Sequence, residues 1–500
     1  MSITGPGSIT AANVAAQTSM MNQLSTLSEE LGTGQAAQTY SGLGSQAGLA
    51  LALNAQLSDI SGYTNSATAV GMTLSIAQSV LSQLGSAGSA VAQAVSQQSA
   101  AFSLDNSGQT STQESAASYL DQILSLLNTQ VGGNYIFSGS AVNQPSVASA
   151  SEILNGNGSQ AGLTQLISQR QQADLGANGL GRLTVGGSGS DVTLTQDGSP
   201  FGFQLAGVNS SLTGATATGP TGSPPTISIN LASNPNPNDT ISFELTLPDG
   251  SSQTLTLQAT SASPPGANQF TIGANPTATA ANLQTALTTS IGNLAQTALP
   301  AASAIAASNN FFADPPQVVS GPPYDTAMSL VNGTPANTVF WYTGENGATP
   351  ALQTATAQVG PSTTIAYGMR ATEPAITSLV ANVAALAATT FSASNPNAQA
   401  SYQALCSSVQ ANLAGQSGTQ SISDIEANIA NAQTTVTNAT ALNTQTQNTL
   451  QDMLQGFEGV NQNQIGEQIL TLQNNLSASM SVTARLAQMS LVNYLSSVSG

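Results

Sequence analysis

The sequence predicts an α+β protein in which both ends form a long antiparallel helical coiled-coil bundle and the middle forms a β-rich inserted outer domain. Three observations carry this. Of 22 prolines, Pro6 stands near the start and the other 21 fall between Pro145 and Pro396, so interior helix breakers are confined to the middle. Apolar residues at both ends recur in steps of three and four. Between them, short segments alternate apolar and polar residues as half-buried strands do. The resulting boundaries are 1–144 for an N-terminal helical assembly domain, 145–370 for a surface-facing insert of one or two β-rich subdomains, and 371–500 for a C-terminal helical assembly domain.

The first helical segment presents Met20, Leu24, Leu27 and Leu31 on one face and stops at Gly32-Thr33-Gly34, a helix-ending composition. A helix from about Ser45 to about Phe102 follows. Its seam runs Ile60, Tyr63, Ala67, Val70, Leu74, Ala77, Leu81, Leu84, Gly88, Val91 and Val95. That spacing belongs to a coiled coil, and the helix reaches roughly 80 to 90 Å at about 1.5 Å per residue. A third helix around Glu114 to Val131 carries Leu120, Ile123, Leu124 and Leu127.

The C-terminal part steps through Ile422, Ile425, Ile429, Ala432, Val436 and Ala439, then polar Asn443 and Thr446, then Leu450, Met453, Phe457 and Val460. The two polar positions read equally as register-setting residues or as surface. After a break near Gly456 and Gly459, a last helix offers Ile465, Ile469, Leu472, Leu476, Met480, Leu486, Met489 and Val492.

In the middle, Thr226 to Leu231, Ser242 to Leu247 and Gln253 to Gln258 read as strands. Leu247-Pro-Asp-Gly-Ser joins the last two through a sound turn. A helix is expected at about Ala278 to Ala298, with Leu283, Leu287 and Ile291 in step, and a further strand at Thr338 to Tyr342 around the only tryptophan, Trp341.

Composition narrows the function. The 500 residues hold 4 Lys+Arg, 22 Asp+Glu, no His and one Cys, a formal net charge of -18. All four cations are arginines: Arg170, Arg182, Arg370 and Arg485. There is no lysine for a Schiff base or a phosphate loop and no imidazole base or histidine zinc ligand. A groove for nucleic acid needs cations that this chain lacks. The isolated carboxylates read as solvated surface groups, Gly186-Gly187-Ser188-Gly189 as a loop, and no calcium-loop pattern occurs. The expectation is a non-enzyme with no catalytic residue, metal or cofactor.

The best apolar run, Leu379 to Phe391, is shorter than a membrane span, so no membrane insertion is expected. The opening MSITGPGSITAANVAAQ lacks the pattern of a cleaved secretory signal. Cys406 stands alone and reads as a small core residue.

The two ends resemble the flagellin superfamily. Leu27-Ser-Glu-Glu-Leu-Gly-Thr-Gly34 is similar to that family's helix-ending pattern, the seam after it to the second family helix, and Ile469 to Leu495 to the C-terminal helix. Gly132-Gly-Asn-Tyr-Ile-Phe-Ser-Gly139 and Ser490-Leu-Val-Asn-Tyr-Leu495 look more like the hook-filament junction protein of the same superfamily. The resemblance covers roughly the first 145 and last 130 residues. It implies an extracellular structural subunit of the bacterial flagellum, exported without a cleaved signal by the type III apparatus with an export chaperone. The subunit would polymerise with itself and with other axial proteins through paired terminal helices. The insert's size favours a filament subunit and the two motifs favour the junction, so both stay open. The expected assembly residues are Leu24, Leu27, Leu31, Val70, Leu74, Leu81, Leu84, Val91, Ile425, Ile429, Val436, Leu450, Ile469, Leu472, Leu476, Leu486 and Leu495. The alternative is a secreted surface adhesin with Ser/Thr-rich β domains.

Overall fold

A computed structural model of the protein describes residues 6–98, 102–105, 108–415 and 418–498, with backbone alone at 6–10, 98 and 490–498. It is an α+β chain. Along it run α1 (Pro6–Thr33), a 3-10 turn (Tyr40–Gln46), α2 (Ala47–Gln98), α3 (Ser111–Leu127), the short pair β1 (Gln130–Val131) and β2 (Asn134–Tyr135), α4 (Ala150–Asn155) and α5 (Leu163–Leu175). Strands β3 (Leu183–Gly186), β4 (Asp191–Gln196), β5 (Gln204–Ser210), β6 (Ala215–Thr221), β7 (Thr226–Leu231), β8 (Thr240–Thr246), β9 (Ser252–Thr260) and β10 (Gln269–Thr271) follow. Then come α6 (Pro276–Gln296), α7 (Ala298–Phe311), β11 (Gln317–Val319), β12 (Leu330–Asn332), β13 (Thr356–Gly360) and β14 (Thr363–Ala366). The chain closes with α8 (Pro374–Ala388), α9 (Ala398–Leu413), α10 (Ile422–Glu458) and α11 (Gln462–Val498). It divides into two compact units. One comprises Met1–Gly71, Ala357–Ile365 and Thr434–Gly500; the other comprises Met72–Thr356 and Ala366–Gln433. Contacts and proline distribution thus partition the chain differently.

In the first unit, α1 begins at Pro6, whose missing N–H costs nothing in the first turn. It ends where Gly34 takes φ +73° and donates its N–H to the Glu30 carbonyl at 2.8 Å, a left-handed stop that glycine adopts readily. The chain after α1 meets the turn between α10 and α11: Ala36 N–H donates to the Glu458 carbonyl at 2.7 Å and Val460 N–H to the Gly34 carbonyl at 3.1 Å. From there α11 packs back along α1. Near the far end Gln17 Nε2 donates to Ser479 Oγ at 3.3 Å and Thr483 Oγ1 at 3.0 Å. These contacts make α1 and α11 antiparallel. Also in this unit, Leu53 and Ile60 of α2 form one buried cluster with Leu450 of α10, flanked by Leu57, Tyr63, Leu454 and Phe457. At Gly71 an added Cβ would sit 3.5 Å from Val436 Cγ1, so α2 and α10 are antiparallel here as well.

The second unit holds two four-stranded sheets. One has the order β3-β4-β7-β6 and is antiparallel throughout; the other has the order β10-β9-β8-β5, with only β10 and β9 parallel. Their inner faces share one core with α6 and the start of α7: Val192, Leu194, Ile227 and Ile229 from the first sheet, Phe243, Leu245 and Leu257 from the second, Leu283, Leu287 and Ile291 from α6. The alternating burial of β7 and β8 is the expected signature of strands with one wet face. The Leu247-Pro-Asp-Gly-Ser turn closes as expected, with Leu247 N–H donating to the Ser251 carbonyl at 2.8 Å. Helices α7 and α8 are buried on nearly every side, as interior helices of small residues are. Helix α3 starts on a capping box formed by Thr110 and Gln113. Gln113 Nε2 then donates to the Leu386 carbonyl at 3.0 Å, tying α3 to the end of α8.

One expectation needs correction, and several elements were not foreseen. Residues 338–342 form no strand, only isolated bridges of Thr338 to Ala161 and Tyr342 to Val147. Trp341 packs inside and donates its Nε1 hydrogen to the Phe312 carbonyl at 3.2 Å. Strands β3 to β6 and helices α4, α5 and α7 have no counterpart in the expected elements. For β6 the reason is low contrast: Ala215–Thr221 reads ATATGPT, too small and too broken by Gly and Pro for alternation to register, whereas the alternation of DVTLTQ in β4 is legible in the sequence. The long helix, expected from about Ser45 to about Phe102, is present as Ala47–Gln98, and residues 99–101 lie outside the described residues.

Candidate assembly surface

The seam of α2 is buried as its spacing implies. Ala67, Val70, Leu74, Ala77, Leu81, Leu84, Gly88, Val91 and Val95 are all buried, and Ile60 with them, while Tyr63 is half-buried. Within the second unit, Leu74, Leu81, Leu84 and Val91 lie on this face, and Gly88 admits Leu379 of α8: an added Cβ would stand 2.9 Å from Leu379 Cδ1. Ile425 and Ile429 of α10 are buried in the same unit. A groove there is lined by Ser82, Gly85, Ser89 and Gln93 of α2 with Ile422 and Glu426 of α10, so the two helices are neighbours. Within the first unit, Val70, Val436 and Leu450 are buried.

The outer pair differs. Leu24, Leu27 and Leu31 of α1 and Ile469, Leu472, Leu476 and Leu486 of α11 are each only half-buried. Two thin helices cannot enclose side chains that a third neighbour would have to cover. Leu495 belongs to α11, but its side chain lies outside the described residues.

Asn443 turns out to be neither register-setting between helices nor surface. It is 2 % exposed and donates Nδ2–H to the Val359 carbonyl of β13 at 2.9 Å. A buried amide is retained where a backbone acceptor meets it.

Met453, Met480 and Met489, expected on the apolar faces of the last two helices, are instead exposed, and sequence reasoning singled out none of Val14, Met21, Leu51, Leu442, Leu470 or Val482. Among the described residues sixteen large apolar side chains are exposed, and eleven of them belong to the first unit, which is under a third of the chain. They include Val14 and Met21 on α1, Leu51 on α2, Leu442 on α10, and Leu470 and Met489 on α11. The signal was present as spacing: Val14 and Met21 are seven apart, as are Val482 and Met489. Exposed large apolar side chains are thus concentrated on the first unit.

Three of the four arginines are paired in the second unit. Arg170 pairs with Asp174 at 2.8 Å, Arg182 with Asp197 at 3.0 Å, and Arg370 with Glu345. Arg182 also donates to the Ala173 carbonyl of α5 at 2.6 Å and to the Ala327 carbonyl at 3.0 Å, tying α5 to the loop before β12. Burial pushes the Asp174 carboxyl above the usual range, against the pull of Arg170. Among the described residues, no group of three or more His, Cys, Asp or Glu could hold a metal ion, and no helix is long and apolar enough to cross a membrane. The chain matches no family model and no curated protein.

Proposed function

We propose that this chain is a structural subunit that polymerises with copies of itself through helices drawn from both ends, as an axial protein of the bacterial flagellum. The carrying observation is the concentration of exposed large apolar side chains on the unit built from the two ends. Packing of α1 on α11, and of α2 beside α10, supports an antiparallel bundle of terminal helices whose outer flanks belong to neighbouring copies. The flagellin-like motifs of both ends name the assembly, and filament subunit and hook-filament junction protein are its two forms. The same reading makes other axial proteins and an export chaperone its partners, and the β-rich sheets the part turned outward.

Deleting residues 465–500 removes nearly all of α11 and is expected to abolish polymerisation; a truncated chain that still forms tubes or still joins hook to filament refutes the proposal. Negative staining of the exported protein separates it from a surface adhesin, which would give discrete particles instead of tubes or junction defects. Subunit abundance in sheared flagella distinguishes the two forms, a major band for the filament and a trace for the junction.

A further inference from the structure

Arg485 stands apart from the other three arginines. It is exposed on α11 and, among the described residues, takes part in no ion pair. Its helix places it three residues after Val482 and four before Met489, hence on one face with both. Val482 is 53 % exposed and Met489 59 %. The neighbouring face, with Ser479 and Thr483, is the one that accepts Gln17 of α1. The Val482–Arg485–Met489 stripe therefore runs along the flank of the α1 contact and stays exposed.

Among the described residues, the first unit pairs Arg485 with no carboxylate of its own. Its exposed carboxylates are Glu29, Asp59, Asp452 and Glu467, and none of them meets a cation among the described residues. One surface thus carries a lone cation without an anion and anions without a cation. A second copy supplies both complements at once. A polyanion such as nucleic acid or an anionic membrane would gain one arginine and face the remaining carboxylates.

We infer that Arg485, flanked by Val482 and Met489, docks against a second copy of this chain and pairs with one of that copy's exposed helical carboxylates, fixing the register between copies. This rests on the polymerising function proposed above and adds the residue that orients it. The apolar flanks supply contact area, and the charge pair selects one alignment among many similar slides of small-residue helices.

Trypsin provides a direct readout, because the chain has no lysine and its other arginines are 5 %, 7 % and 8 % exposed. The free full-length chain is expected to be cut first after Arg485, and the assembled chain at least about tenfold more slowly there. Arg485→Glu should raise the concentration needed for assembly roughly tenfold, while Arg485→Lys keeps it within about twofold of the parent. Reversing the partner carboxylate, tested singly as Glu29→Arg, Asp59→Arg, Asp452→Arg and Glu467→Arg, should restore assembly of Arg485→Glu in one case. Equal cleavage in free and assembled chains, or Arg485→Glu assembling like the parent, overturns this inference and leaves the polymer standing. Failure of the parent chain to assemble at all overturns the proposed function and this inference with it.

Discussion

Asn443 and Val359 are joined by a buried hydrogen bond of 2.9 Å from the Asn443 amide to the Val359 carbonyl. Val359 itself is fully buried, so this bond fastens the β13–β14 hairpin to α10 inside the first unit. Asn443→Leu removes the donor while keeping the volume, and the expected loss is about 1–3 kcal/mol of stability. Urea unfolding measures the loss, and amide exchange should accelerate first between residues 356 and 366. An unchanged midpoint would mean that the hairpin is held by other contacts.

Buried and exposed leucines of the long helices should respond in opposite ways. Leu84 is fully buried, and Leu84→Ala is expected to cost about 2–5 kcal/mol. Gly88→Val overfills the space beside Leu379 and should cost about 1–3 kcal/mol. Leu470, 62 % exposed on α11, should tolerate Leu470→Ser within about 0.5 kcal/mol in the unassembled chain. The same change should weaken polymerisation, as read by sedimentation. If Leu470→Ser instead unfolds the free chain, that face is core and not contact surface.

The Arg170–Asp174 pair lies in the interior of the second unit, its side chains 6 % and 0 % exposed. Asp174 also accepts the Gly202 N–H at 2.9 Å, and the guanidinium lies 5.0 Å from the Phe201 ring centre. Arg170→Leu leaves a buried carboxylate without its cation, and the expected cost is about 3–5 kcal/mol. The double replacement Arg170→Leu with Asp174→Leu should recover much of that loss in thermal unfolding. A double variant no better than the single one would show that the carboxylate's backbone bond matters more than its charge.

The response to pH follows from which groups are held away from their ordinary values. With no histidine, no side chain of ordinary pKa titrates between about pH 5 and 8, so any slope in stability there should come from Asp174, whose carboxyl burial raises, and should vanish in the Arg170→Leu, Asp174→Leu double variant. Hydrogen bonds from the Ser421 backbone and hydroxyl hold Asp424 below the usual carboxylate range. A depressed acid stabilises the folded state above its unfolded pKa, near about 4, and that support disappears as pH falls further. At the other end, burial pushes the Cys406 thiol up to about 11. A raised value stabilises the folded chain fully below the ordinary thiol pKa of about 8.5 and is lost as pH rises through about 11. Unfolding midpoints across pH 3 to 11 test both limbs. Cys406 should also resist thiol reagents at neutral pH until the second unit unfolds; rapid labelling of the folded chain would contradict its burial.

The steps of three and four along residues 60 to 95 determined by themselves the covered face of α2, and along 422 to 460 most of that of α10, where Met453 nevertheless stays exposed. That period is a local property of a helix, and no neighbour is needed to read it. Proline placement likewise determined where long helices could run, and the missing lysine and histidine determined which chemistries the chain lacks. What the tertiary structure decided was pairing: that Asn443 reaches a hairpin, that Trp341 sits beside Phe312 without a strand, and that ATATGPT joins a sheet. It also decided that three arginines are consumed by Asp174, Asp197 and Glu345 while Arg485 stays outside. A sequence states the period of a side chain's exposure, but the group it meets lies far along the chain, and only folding brings those two segments within hydrogen-bonding distance.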